Sequence, residues 1–294
     1  MVKPWDFAFN EESAISNAFQ KNIEGVANIN QLANKEFDDA VERIRKTGVD
    51  VIVFDRKSTV EIPDAVFPNN WIGLHPDGKV ILYPMMHENR RNERNTNVLD
   101  LLEENGHITK EVIDLSYKEE FGEFLEGTGS MVIDYKSKVA YACASPRTDI
   151  SLFTETAKSL DLDTFSFNAN DLQGRPIYHT NVLLSITEYL AIVCLECIDN
   201  SIQRMMLKKK LEESGLAILE ISFSQLENFC GNVFEVKNSA DENFIISSHR
   251  AWSAFTPTQQ KLIEKHHSPL VISIPTIETI GGGSARCMVA GVYF

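Results

Sequence analysis

Apolar residues recur at helical spacing in five stretches of the chain, with short β-branched runs between them. Asn34 to Lys46 opens on a capping-type Asn and stops at Gly48. Arg90 to Asn105 carries Val98, Leu99, Leu101 and Leu102 and stops at Gly106. Thr148 to Leu160 follows Pro146, and Ser201 to Ser214 ends at Gly215. Pro257 to His267 has Thr256 as N-cap and Pro at the first helical position. These helix ends repeat at a spacing of about 55 residues. The runs between them predict strands at Val49 to Phe54, Lys79 to Tyr83, Ser130 to Asp134, Val139 to Ala142, Val182 to Ile186 and Tyr189 to Cys194. Further strands are expected at Ala217 to Ile221, Asn232 to Val236, Phe244 to Ile246 and Leu270 to Ile274. Each unit therefore reads as a few strands plus one helix, and self-similarity between units is weak. With no low-complexity stretch or Pro/Ser-rich linker, residues 1–294 form one α/β domain of five units around a common axis. An ordinary α/β sheet of irregular order is the alternative.

Composition narrows the chemistry. The chain has 294 residues, 43% of them apolar and 24% charged, which excludes a disordered, collagen-like or small disulfide-framed protein. Twenty-eight basic against forty-two acidic residues leave a net charge of −14. Such a chain repels phosphate backbones and anionic membranes, so the expected partner is a small soluble molecule, with no nucleic acid and no membrane. The longest apolar run, Tyr189 to Leu195, is too short to span a bilayer. Lys3, Asp6, Glu11 and Glu12 interrupt the first twenty residues, which read as no signal peptide. Five cysteines without a secretion signal read as reduced thiols in a cytoplasmic protein.

Local motifs supply candidates. In Gly281-Gly282-Gly283-Ser284-Ala285-Arg286-Cys287, three glycines let the backbone approach a ligand just before a cysteine and a strand-like run, Met288 to Tyr293. A nucleophile suits that place, with backbone amides nearby for an oxyanion. A glycine turn beside an inert cysteine is the plainer alternative. Neither a Rossmann nor a P-loop spacing follows. His179, at the entrance to a strand, suits a proton shuttle, or else simply a surface turn. Glu126 lies among apolar and glycine residues, the company of a pocket carboxylate or a turn cap. Pro63 to Trp71 mixes polar groups, Asp64 and Asn70 among them, with aromatic surface in a Pro-bounded loop. Cys194 and Cys197 have C-x-x-C spacing but no second pair, and read as structural. Cys143 and Cys230 read as core, and Arg90, Arg91 and Arg94 as a solvated helix start, with a loop closing over the site as the alternative.

Together, PDAVFPNNW at 63–71, EGTGSMVID at 126–134, ASPRT at 144–148, YHTNVLL at 178–184, CGNVFEV at 230–236 and GGGSARCMVAGVYF at 281–294 resemble the guanidine-modifying, or pentein, superfamily. The likeness is greatest to its citrulline-hydrolase branch. It implies a five-bladed α/β propeller, although the stretch before Pro4 is short for the family's first strand. It also implies Cys287 as nucleophile, His179 as general acid and base, Glu126 as the orienting carboxylate and Arg147 as the holder of a substrate carboxylate. Asn70 and Asn181 stand where guanidinium-processing relatives commonly carry Asp. An amide meets a neutral ureido group with a donor and an acceptor, so citrulline is expected over arginine. In the implied scheme Cys287 attacks the ureido carbon, and the amides of Gly282 and Gly283 hold the oxyanion. Either His179 as imidazolium or local amides are expected to lower the thiol pKa. Ornithine leaves, and water releases carbamate, which breaks down to ammonia and CO2. No metal or organic cofactor is required. Rival readings are an arginine or other guanidine hydrolase and a non-catalytic binding protein on the same propeller; a homodimer is compatible with all of them.

Overall fold

Antiparallel neighbours can be joined by a tight turn, whereas parallel neighbours need a crossover long enough to hold a helix. The computed structural model, which describes residues 1–23 and 28–294, uses both rules in the same order four times. The first sheet contains β1 (Ile72–His75), β2 (Lys79–Leu82) and β3 (Glu111–Asp114). The second contains β4 (Met131–Asp134), β5 (Val139–Cys143) and β6 (Asp163–Phe167). The third contains β7 (Leu184–Ile186), β8 (Leu190–Val193) and β9 (Ala217–Glu220). The fourth contains β10 (Phe234–Lys237), β11 (Asn243–Ser248) and β12 (Ser268–Ile272). In each, the middle strand runs antiparallel to the first and parallel to the third.

The fifth unit is looser. Its helix, Ile29–Arg45, leads to residues 49–54, of which only Phe54 is bridged, in parallel to Val2. Val292 bridges Leu74 in the same sense. A cavity of about 650 Å³, lined by Val49, Val51, Phe54, Ile72, Phe234 and Val289 among others, separates these segments. The strand predicted at Val49 to Phe54 is therefore reduced to one bridge, and Met288 to Tyr293 is irregular apart from Val292. The architecture is a five-bladed α/β propeller, as expected.

Helix boundaries follow their caps. Asp149 accepts from Leu152 N at the start of Ile150–Ser159, and Asn200 accepts from Ile202 N and Gln203 N at the start of Ser201–Glu213. Thr256 and Gln259 form a reciprocal capping box on Pro257–Glu264. Two expectations are corrected. Asn34 is inside a helix, not at its cap, and its amide donates to the carbonyl of Pro4 at 2.8 Å. The helix predicted from Arg90 to Asn105 is two pieces, Glu88–Arg91 and Asn97–Glu104, because its arginines turn inward to carboxylates and not outward to water. β1, β3 and β6 were not foreseen. β7 starts two residues late because Thr180–Leu183 forms a helical turn before it.

β5 and β8 are buried at every position and carry the core between neighbouring blades. Phe153 packs its helix onto β5 and is fully buried. Phe153→Ala is expected to cost about 3–5 kcal/mol, read as a lower urea midpoint with unchanged slope.

Candidate active site

Each blade delivers a polar residue at one place, the turn just before its first strand. Asn70 closes the turn Pro68–Asn70 ahead of β1, and Glu126 caps Gly127–Ser130 ahead of β4. His179 caps Thr180–Leu183 ahead of β7, Asn232 lies just ahead of β10, and Cys287 sits in the turn before residues 289–292. All five are buried.

Glu126 has no exposed surface, and its carboxylate is saturated. Oε1 accepts from Met86 N at 3.1 Å, and Oε2 accepts from His179 Nε2 at 2.8 Å and from Arg147 Nη1 at 3.4 Å. Arg90 Nη1 is 3.9 Å away. Burial pushes this carboxyl up, but the opposing pull of Arg147, His179 and Arg90 holds it well below the usual range. Glu126 is therefore ionised and fixes the tautomer: Nε2 carries the proton, and Nδ1 presents a lone pair. For His179 burial prevails over Glu126, and its pKa falls to about 4.

Cys287 lies between two amides. Asn181 Nδ2 is 3.6 Å from Sγ, and Asn232 Nδ2 is 3.4 Å from it. Burial raises the thiol pKa in spite of these donors and of Arg286. Of the two devices expected to lower the thiol pKa, the imidazolium is absent at rest, because burial keeps His179 and the thiol neutral, and the amides are present. The oxyanion role expected of Gly282 is corrected too. Its N–H donates to Glu278 O at 3.0 Å, and its carbonyl accepts from Tyr178 Oη at 2.9 Å. What glycine provides there is conformation, φ +65° at Gly282 and a flat surface against the Phe67 ring at Gly283.

A second charged group lies across the cavity. Arg90 pairs bidentately with Glu93, sits 3.7 Å from Asp64 and donates to Asn70 Oδ1 at 2.9 Å. Burial lifts Glu93 to about 7 against the pull of Arg90. Arg90 is buried, contrary to the solvated helix start; Arg91 and Arg94 pair with Glu119. Among runs of charge, nothing local distinguishes an arginine that turns inward.

Residues 10–21 form a strap over this ensemble. Asn10 and Ser13 each donate to Asp64 Oδ2 at 2.8 Å. Asn17 donates to Gly282 O at 3.2 Å, and Gln20 to Gly281 O at 2.9 Å. The donors of Arg147 are engaged by the strap, at 2.9 Å to Ser13 O and 2.7 Å to Ser16 Oγ. Asn17, Gln20, Arg90, Tyr178, His179 and Cys287 all line one cavity. Only about 10 Å³ of it is open to the centre of a water molecule, room for roughly one. Sequence reading missed Asn17, Gln20, Arg90 and Asn232; only Asn232 lies in a segment that carried the resemblance. Among the described residues no group of three or more His, Cys, Asp or Glu could hold a metal ion, and no helix is long and apolar enough to cross a membrane.

Residues 3–294 match the family model for N,N dimethylarginine dimethylhydrolase, eukaryotic. The chain belongs to that family. No curated protein matches it. Among solved structures, apo ArgZ, an arginine dihydrolase from cyanobacteria, superposes with a TM-score of 0.74 at 20% identity. The alignment covers 98% of this chain and 39% of ArgZ, so the chain spans about two fifths of that protein. The substrate-bound N-terminal domain of an ArgZ variant gives 0.73 at 20% identity, covering 100% and 98% of the two chains. A dimethylarginine dimethylaminohydrolase variant, solved as an adduct with S-methyl-L-thiocitrulline, gives 0.64 at 14% identity, with 96% of each chain covered. These likenesses establish the fold. The pentein resemblance stands, but neither the matched family nor these structures support its citrulline-hydrolase branch.

Gly129 brings its backbone against two of the five convergent side chains. A Cβ there would lie 2.4 Å from Asn70 Nδ2 and 2.8 Å from the His179 ring. Gly129→Ala is expected to keep the fold by circular dichroism and to lower turnover on whichever guanidino or ureido substrate is used by about 100-fold, because angstrom-scale misplacement costs that much.

Proposed function

We propose that the protein hydrolyses the guanidino group of an arginine-like amino acid through a covalent intermediate on Cys287. One observation carries this reading: a buried Glu126–His179 pair opens on the same cavity as a thiol held by two amides. The arginine dihydrolase fold and the dimethylarginine family name support a guanidino substrate over citrulline.

In this mechanism the thiol proton passes to Nδ1 of neutral His179 as Sγ attacks the guanidinium carbon. The imidazolium, held by Glu126, gives that proton to the departing nitrogen, and the C–N bond breaks as an amine or ammonia leaves. A water then loses a proton to His179 and attacks the S-bound carbon, and the C–S bond breaks to return the thiol. Asp64 is assigned to the cationic end of the substrate, and Arg147 to its carboxylate. A carboxylate reaching Arg147 replaces Ser13 O and Ser16 Oγ, so binding and displacement of the strap are one event. Gly282 and Gly283 shape the wall beside Cys287.

A ureido substrate remains the second reading because of two orphaned atoms. Asn70 Nδ2 and Asn181 Oδ1 are buried without a partner among the described residues. A donor with no acceptor matches a ureido oxygen, which a guanidinium lacks. Assaying ammonia, amine, citrulline and ornithine release from arginine, citrulline, agmatine and methylarginines separates the readings. Turnover of arginine or a methylarginine is expected; turnover of citrulline alone would overturn the main reading for the second.

Cys287→Ser is expected to lower turnover at least about 1,000-fold with the fold intact. The required base is neutral His179, whose pKa is about 4. Because the basic form persists above that value, kcat/KM is expected to show no acid limb near 6.5 and to fall only as pH approaches 4. An acid limb near 6.5 would show a solvated His179 in the working enzyme.

A further inference from the structure

The residues at the blade turns follow a period. Asn70, Glu126, His179, Asn232 and Cys287 are separated by 56, 53, 53 and 55 residues. Glu126, His179 and Cys287 already have a part in the mechanism and Asn70 faces the cavity, which leaves Asn232 without a role. Its amide is oriented by a 2.9 Å hydrogen bond from Nδ2 to the backbone carbonyl of Asn181, which fixes which end of the amide is which. So oriented, Asn232 presents both of its polar atoms to one sulfur: Nδ2 at 3.4 Å and Oδ1 at 3.5 Å from Cys287 Sγ. Asn181 Nδ2 approaches the same sulfur at 3.6 Å.

We propose that Asn232, seconded by Asn181, is the cradle of the nucleophile, its carbonyl accepting the S–H of the resting thiol and its NH2 donating to the thiolate during attack. This deepens the function proposed above and rests on Cys287 being the nucleophile. The chemistry follows from the donor inventory: an amide serves either protonation state, whereas a carboxylate would accept from the thiol but repel the thiolate. It also follows from position: the resting His179 is neutral, so the amides are the donors already in place at the sulfur before proton transfer creates an imidazolium. The charged and titratable groups facing the thiol are Arg286 on its own turn, Tyr178 and His179 from the turn before β7, and Asp64, Arg90 and Arg147 across the cavity.

The test is the pH dependence of Cys287 alkylation by iodoacetamide, a small neutral probe that displaces iodide and forms a thioether, with the labelled peptide located by mass spectrometry. The other four cysteines are also buried, so the site of labelling must be mapped. Asn232→Ala is expected to raise the alkylation midpoint by about one pH unit, about a tenfold loss of thiolate at fixed neutral pH. Asn232→Asp is expected to raise it further, because the new carboxylate repels the thiolate. Asn181→Ala leaves the Asn232 bond to the residue 181 carbonyl in place and is expected to give a smaller rise. Should Asn232→Ala unfold, Asn232→Ser and Asn181→Ala decide the matter. Midpoints unchanged in natively melting variants, with Cys287 labelled in the parent protein, would overturn the cradle and leave the nucleophile standing. No labelling of Cys287 in the parent protein at any pH from about 6 to 10 would overturn the nucleophile, and the cradle with it.

Discussion

An ionised carboxylate with no solvent exposure is the constraint around which the rest is arranged. Glu126 would be costly to bury alone, because the protein interior replaces water poorly around a charge. Its surroundings provide the replacement: a backbone N–H from Met86, the imidazole N–H of His179, and the cations of Arg147 and Arg90. Each partner comes from a different part of the chain. Fixing one charge therefore ties together the turn before β4, the turn before β7, the 144–148 segment and the short helix Glu88–Arg91. The proton position on His179 follows from the same charge, since a carboxylate at Nε2 leaves Nδ1 as the reactive nitrogen.

Propeller geometry makes such a meeting cheap in chain length. A strand buried on both faces offers no route for a polar side chain, and β5 and β8 are of that kind. The turns that lead into the first strand of each blade face the axis together, so five short turns present five side chains to one small volume. The same crowding closes the cavity. The strap of residues 10–21 seals it with hydrogen bonds to groups that a substrate would use, Asp64 and Arg147 above all.

Legibility in the sequence tracked how local the cause was. The helix start at Thr256 was readable because a cap is a contact between residues three apart. The break in the helix expected over Arg90 to Asn105 was not, because Arg94 pairs with Glu119, 25 residues away in sequence, and the buried Arg90–Glu93 pair looks in sequence like an ordinary exposed i,i+3 pair. β3 and β6 are third strands of their blades and mostly exposed, so no apolar run marks them, and the alternation in β6 is confined to Phe165 and Phe167. Val49 to Phe54 looked like a strand, and its pairing is confined to residues 1–3, which bond only its last residues. Glu126, His179 and Cys287 were found because their glycine-rich and motif-bearing surroundings carry the resemblance. Asn232 was inside such a motif, yet its contact with the sulfur of residue 287 is purely tertiary.

The neutral resting state bears on how the site can work. Arg90 and Arg147 are engaged by Glu93, Asp64 and Glu126, and leave little net positive potential for the sulfur. Burial keeps the thiol protonated, and it keeps His179 from carrying charge that would offset this. Deprotonation is then easiest when something cationic arrives, and a guanidinium head group brings that charge with it while a ureido group does not. The unpartnered Asn70 Nδ2 suits an oxygen, as in a ureido group, and Asn181 Oδ1 accepts an N–H from either group, whereas the charge balance at Cys287 suits a guanidinium.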